Sequence, residues 1–317
     1  MSSREGYVAV SLNLDSMAHA FGYPAGYEDP AFRQVLDRFE LFSDRHRFRY
    51  TVYVIGRDLE VAAHRARVRS LARAGHEIAN HSWSHHTDLG GLPRGEMERE
   101  ILRAHDAIEA CTGRQPAGFL SPGWSTSRRL VKLLNAVGYR HDSSSLPGLL
   151  CYAFVLKNAL NHWRCWDRFR RVLNRRDWLE PAAGSREPSL AGDLVKLPVP
   201  TTPGPAGIAI WHTTGFLLGW DRHFRLLRKA MAARRFFYYV VHPADLTCDE
   251  DLRGGYRHSI ERLGGSLEEK MRRFGEAMEI IHGQGRASTT MFGLSEAARA
   301  ELLAASCPDR ALPVPAR

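Results

Sequence analysis

At 317 residues and an apolar share of 44%, the chain can bury a sizeable core, which excludes a disordered or fibrous chain. The formal net charge of +9 and sequence pI near 9.6 suit an anionic partner, and equally a solvated arginine-rich face, because the arginines are scattered along the whole chain. The five cysteines, Cys111, Cys151, Cys165, Cys248 and Cys307, include no C-x-x-C pair, which excludes a zinc ribbon and fits free thiols in a reducing compartment.

The N-terminal MSSREGYVAVSLNLD runs directly into a strand pattern without the charged start and apolar stretch of a secretory signal, so a cytoplasmic protein is expected. No segment reaches roughly 18 uninterrupted apolar residues. The nearest, Leu149 to Leu160, suits peripheral contact with the inner face of a membrane. Strands over Tyr7 to Leu12, Tyr50 to Ile55, His76 to Ala79 and from Gly118 alternate with helices over Asp29 to Asp44, Val61 to Ala74, Arg94 to Cys111 and Ser127 to Ala136. This alternation predicts a parallel α/β fold. A barrel is favoured over a doubly wound sheet, since no Gly-rich fingerprint follows the first strand.

From about 145 to 188 the pattern breaks into an aromatic and basic insertion carrying Trp163, Trp166, Phe169 and Trp178 among arginines. Strands return at Leu194 to Val199, Gly207 to Trp211 and Phe236 to Val241, with a helix over Asp221 to Ala233. Helices over Ser266 to His282 and Ser295 to Ala305, the latter with Ser295 as N-cap, close a single domain, 1–305, before a loose tail, 306–317.

The sharpest chemistry lies in His81-Ser82-Trp83-Ser84-His85, which follows the strand HEIAN where a barrel delivers side chains to its active face. Imidazoles four apart can face one cation, although two surface histidines produce the same spacing. A catalytic metal site takes three protein ligands. Asp15, at the end of the first strand, is the natural third, with a helix cap or turn as its bland alternative. His242, after FFYYVV, is either a core histidine satisfied by a carbonyl or a proton donor to a leaving amine.

Together, LNLDS, TVYVIG, GHEIANHSWSHH, FLSPGW, YRHDSS and VVHP resemble the polysaccharide deacetylase family, carbohydrate esterase family four, over about Val8 to Leu246. The resemblance implies a distorted (β/α) barrel of about seven strands, a divalent metal, usually zinc, and hydrolysis of an N-acyl group on an amino sugar. It makes His81 and His85 metal ligands and His242 the general acid, with Pro122, Gly123 and Trp124 lining the groove and Asp142 in a segment that shapes the site. Two departures stand out. The family's first motif carries two successive aspartates, base then ligand, whereas here Asp15 precedes Ser16. Asp15 is then either the base, with the oxygen of Ser16 as a weak ligand, or the ligand, with Asn13 or His19 near enough in sequence to be considered as base. Leu120 stands where an arginine usually orients the base, and leucine cannot make that contact.

The insertion reads as a lipid-phosphate surface or as an ordinary helical cap with Trp inside and Arg in water. His212, following a strand, is placed near the pocket. The expected substrate is a lipid-linked, nucleotide-linked or small amino sugar carrying an acetyl or formyl group. The rival is a degenerate barrel that binds a glycan or glycolipid without hydrolysis. Nucleic acid is not an expected partner, because no recognition helix or zinc module accompanies the charge.

Overall fold

The computed structural model describes residues 6–21, 23–24, 28–148, 156, 159–160, 166–167, 186–204, 207–252 and 265–306. Most of the predicted insertion, including Trp163 and Trp178, and the tail beyond 306 lie outside them. Strands β1 (Tyr7–Leu14), β2 (Tyr50–Val54), β3 (Glu77–Asn80), β4 (Gly118–Phe119) and β5 (His141–Asp142) alternate with helices α1 (Met17–Phe21), α2 (Leu36–His46), α3 (Ala62–Arg73), α4 (Arg94–Thr112) and α5 (Arg128–Val137). There follow β6 (Ser189–Ala191), β7 (Leu194–Lys196), α6 (Thr213–Leu218), α7 (Trp220–Ala232), β8 (Phe236–Val241), α8 (Leu267–His282), β9 (Ala287–Ser288) and α9 (Met291–Ser306).

The strand order is β6-β7-β5-β4-β3-β2-β1-β8, with β9 also paired to β1. Every pairing is parallel except β6 with β7, which is antiparallel. The α/β expectation therefore holds, in the form of an open, curled half-barrel. The second late strand is corrected: residues 207–211 contribute a single antiparallel bridge, Thr201 to Ala209.

Period-two alternation explains the two faces. On β1, Val8, Val10, Leu12 and Leu14 join Val52, Val54, Phe237, Tyr239 and Val241 in the large core under α2, α7 and α8. The alternate residues Ala9, Tyr53, Ala79, Tyr238 and Val240 face the concave side, where Met291, Leu294 and Ala298 of α9 pack against them. Ser295 is not the N-cap of that helix. It lies a turn inside, buried, with its hydroxyl donating to the Phe292 carbonyl at 2.7 Å, while Thr290 Oγ1 accepts from the Gly293 amide at 3.4 Å. Ser127 caps α5, accepting from the Leu130 amide. Among the described residues, no helix is long and apolar enough to cross a membrane.

Candidate metal centre

The centre forms where β1 and β3 end beside one another's neighbours on the concave face. Asp15 follows β1, and its Oδ1 lies 3.4 Å from His81 Nε2 and 3.5 Å from His85 Nε2. The three possible ligand atoms lie within 4.8 Å of one another. His81 is 2% exposed, and its Nδ1 sits 2.6 Å from the Leu120 carbonyl. A carbonyl only accepts, so Nδ1 carries the proton and Nε2 presents its lone pair to the centre. Burial lowers the pKa of His81 and favours this neutral form. Burial by itself would raise the Asp15 carboxyl, but the charge of His85 and the close approach of the His81 and His85 imidazoles hold it well below the usual carboxylate range.

These donors fit a divalent cation. Asp15 Oδ1 is buried with no hydrogen-bond partner, and two imidazole nitrogens converge on it. Two nitrogens and one carboxylate oxygen form the three-ligand donor set typical of a catalytic zinc site. His86, adjacent in sequence, turns instead toward Asp88 (3.6 Å) and Glu100 (4.0 Å).

The histidine loop is held from below by a residue that the sequence reading passed over. Asn80, fully buried, accepts from the Ser82 amide at 2.8 Å and donates to the Ile101 carbonyl and the Tyr139 hydroxyl. Ser82 and His85 adopt positive φ (63° and 59°), a conformation that persists only where surroundings enforce it. The Gly56 and Arg57 amides donate to the Ser82 and Trp83 carbonyls, each at 2.9 Å. Gly56 permits that approach, since a Cβ there would stand 2.8 Å from Ala104 and from the Trp83 ring. Ser84 is tied through its amide and hydroxyl to Glu100. Asn80→Ala leaves the Ser82 amide and Tyr139 without these buried contacts, and is expected to cost about 1–3 kcal/mol. Metal affinity is expected to fall by roughly 10–100-fold; urea titration and zinc titration check the two effects separately.

His242, 6% exposed, follows β8. Its backbone amide donates to Asp245 Oδ2 at 2.8 Å, and its ring Nδ1 lies 3.8 Å from the same oxygen. Asn13, on the concave face two residues before Asp15, has its Nδ2 at 3.4 Å from His242 Nε2. The Ser11 hydroxyl donates to Asn13 Oδ1 at 3.3 Å. Ser16 faces elsewhere: its Oγ accepts from the His19 amide at 3.2 Å and it hydrogen-bonds Asp58. His19 Nε2 lies 3.6 Å from Asp58 Oδ1.

Leu120 lies in the concave apolar cluster with Trp124, Leu146 and Trp211, and no arginine pairs with Asp15 among the described residues. Pro122–Trp124 form a 3₁₀ turn in which Gly123 and Trp124 have positive φ, and Trp124 stacks on Trp211 at 5.0 Å. Asp142 does not reach the histidines. It is fully buried and bonds Ser144, whose hydroxyl accepts from the Ser121 amide, so it braces the turn from behind. His212 is placed in the other layer. Fully buried, it lies 3.0 Å from the Tyr239 hydroxyl and packs on Trp220 and Phe274, the ordinary setting of a core histidine.

The family described as "Polysaccharide deacetylase" matches residues 26–141, a little over a third of the chain. The matched segment contains His81 and His85 but neither Asp15 nor His242. A peptidoglycan deacetylase of Helicobacter pylori (strain ATCC 700392 / 26695) is 23% identical over 204 residues, 62% of this chain and 66% of that protein, just under two thirds of its length. A provisionally assigned polysaccharide deacetylase from Mycobacterium smegmatis superimposes with a TM-score of 0.57 at 21% identity, over 95% of this chain and 93% of the other. A carbohydrate esterase family four pseudoenzyme from Bacillus anthracis gives 0.50 at 12% identity, over 92% and 66%. At these identities the structures share the fold.

Proposed function

We propose, for a chain that is a divergent member of the polysaccharide deacetylase family, that it hydrolyses the N-acyl group of an amino sugar at Asp15, His81 and His85. The observation that carries this reading is the convergence of those three side chains around an unpartnered carboxylate oxygen. Asp15, His81 and His85 would hold a divalent ion, zinc by the nature of the donors. Such an ion would supply polarisation of the acyl carbonyl and a water acidic enough to react near neutral pH.

The chain's own groups supply the remainder. His242, across the centre from the histidine loop, protonates the departing nitrogen, with Asp245 fixing its backbone and facing Nδ1. The stacked Trp124 and Trp211 offer an apolar wall for a sugar face. Asp142, through Ser144 and Ser121, keeps that wall in place. Ser16 serves the fold by holding α1 and Asp58.

Acetyl is the first acyl group to test and formyl the second, on lipid-linked, nucleotide-linked or small amino sugars in the cytoplasm or at the inner membrane face. The Helicobacter relative adds peptidoglycan fragments as a substrate to try. A second reading, glycan binding without hydrolysis, draws on Asn13 and Leu120, which bring an amide and an apolar side chain to places where a carboxylate and an arginine would serve catalysis.

The discriminating experiment loads the full chain with zinc, measures bound metal, and follows acetate, formate and free amine released from N-acylated glucosamine, its oligomers and peptidoglycan fragments. About one zinc per chain with amine release is the expected result. Glycan binding with no amine released under any metal would replace the enzyme reading by the binding one.

A further inference from the structure

We propose that Nε2 of His242 acts at both ends of the reaction, accepting the attacking water's proton and passing it to the leaving nitrogen, with Asn13 as the residue that fixes its tautomer. This inference rests on the deacylase reading above and assigns its missing base.

The side chains that face the centre determine the choice. On β1 the concave positions before Asp15 are Ser11 and Asn13, and neither can accept a proton near neutral pH. Asp15 Oδ1 lies between two imidazole nitrogens at 3.4 and 3.5 Å, the position of a ligand. Ser16 is committed to α1 and Asp58. His19 turns its Nε2 to Asp58 Oδ1 at 3.6 Å. His242 remains, its Nε2 3.4 Å from Nδ2 of Asn13, which shares the face of Asp15 two residues before it.

Asn13 sets the state in which His242 waits. The Ser11 hydroxyl donates to Asn13 Oδ1, which turns the NH2 end of the amide toward His242 Nε2 at 3.4 Å. An amide N–H only donates, so Nε2 holds the lone pair and Nδ1 holds the proton, on the side of Asp245. The contact is long, and a water in the centre can take over that lone pair. An ordinary general acid would need the reverse, with the proton already on Nε2.

The balance closes with no added reactant. One water O–H bond breaks as its oxygen bonds the acyl carbon, and the proton goes to Nε2. The C–N bond then breaks, and the same proton leaves Nε2 for the nitrogen. The products are the free amine and the carboxylic acid.

Two measurements test this on the full chain. In metal-free protein with ¹⁵N-labelled histidine, His242, assigned by its loss in His242→Gln, is expected to show the Nδ1-protonated neutral tautomer. Asn13→Leu is expected to shift it toward the other. An Nε2-protonated ring in the wild type overturns the proposal. The second compares an N-acetyl sugar with 4-nitrophenyl acetate, whose leaving group departs without protonation. His242→Gln, with zinc content unchanged, is expected to lose roughly 100-fold or more on both. Loss on the amide alone would make His242 only an acid and overturn the shuttle while leaving the deacylase reading intact. Loss of ester cleavage in His19→Ala with its retention in His242→Gln would give the base role to His19, also overturning the proposal. A zinc-loaded wild type that cleaves neither compound removes the deacylase reading itself.

Discussion

His81→Ala is expected to abolish zinc retention and to lower amine release by about 10³-fold or more. Zinc content after gel filtration and the rate on an N-acetyl sugar measure the two. The size follows from what the residue does. A bound divalent ion is worth several kcal/mol to an acyl-transfer transition state, and each 1.36 kcal/mol is tenfold in rate. Of the two histidines, His81 is the more completely prepared, buried with Nδ1 fixed on the Leu120 carbonyl at 2.6 Å. Its Nε2 therefore needs little reordering to bind. Asp15→Asn keeps the shape and removes the charge, and should weaken zinc binding in the same direction. His86→Ala is the informative control, because His86 faces Asp88 and Glu100. If it lost zinc as fully as His81→Ala, the assignment of the centre would be wrong.

The sequence carried the histidine pair and Asp15 because strand ends deliver side chains to one rim and His-x-x-x-His has a short reach. It misled at Ser16, since looking for a second carboxylate one position forward ignores the strand period: the residue sharing Asp15's face is two back, at Asn13. His212 was misread for a related reason. A polar ring after an apolar run suggests a pocket, but its partner, the Tyr239 hydroxyl, is on the outer face of β8 and nothing local reveals that. Asn80 was invisible, being one more strand-end polar residue until Ser82, Ile101 and Tyr139 close around it. The parallel core was legible from alternation, whereas the antiparallel β6 and the open edge depend on short segments with weak patterns. Ser295 looked like a cap only because Met291–Leu294 can be read as the end of a loop.

At the opposite end of the strands, Glu77→Ala is expected to destabilise the chain by about 3–5 kcal/mol, a large part of the roughly 5–15 kcal/mol typical of a folded domain. Glu77 Oε1 lies 2.8 Å from Nε2 of the fully buried His141, and its Oε2 accepts from the Thr51 hydroxyl at 2.6 Å and the Phe292 amide at 2.9 Å. The Met291 amide donates in turn to Thr51 Oγ1 at 2.7 Å, so the carboxylate meets the positive end of α9 and pins the helix under the half-barrel. Gly118 makes room for the pair, since a Cβ there would stand 2.1 Å from the His141 ring. Burial raises the Glu77 carboxyl, but His141 and the hydrogen bonds from Thr51 and Phe292 outweigh it, leaving the folded pKa lowered. The unfolded chain therefore binds the proton more readily than the folded one. This contribution is full above the unfolded value, about 4.3, and is lost as pH falls through the lower folded value. Urea midpoints of chelator-treated protein, which removes metal linkage, should show Glu77→Ala weakened at pH 7. Glu77→Gln, retaining hydrogen bonds without charge, should lose less and lose stability less steeply below about pH 4.3. Equal midpoints for Glu77→Ala and wild type would mean that Met291, Leu294 and Ala298 hold α9 by apolar contact alone.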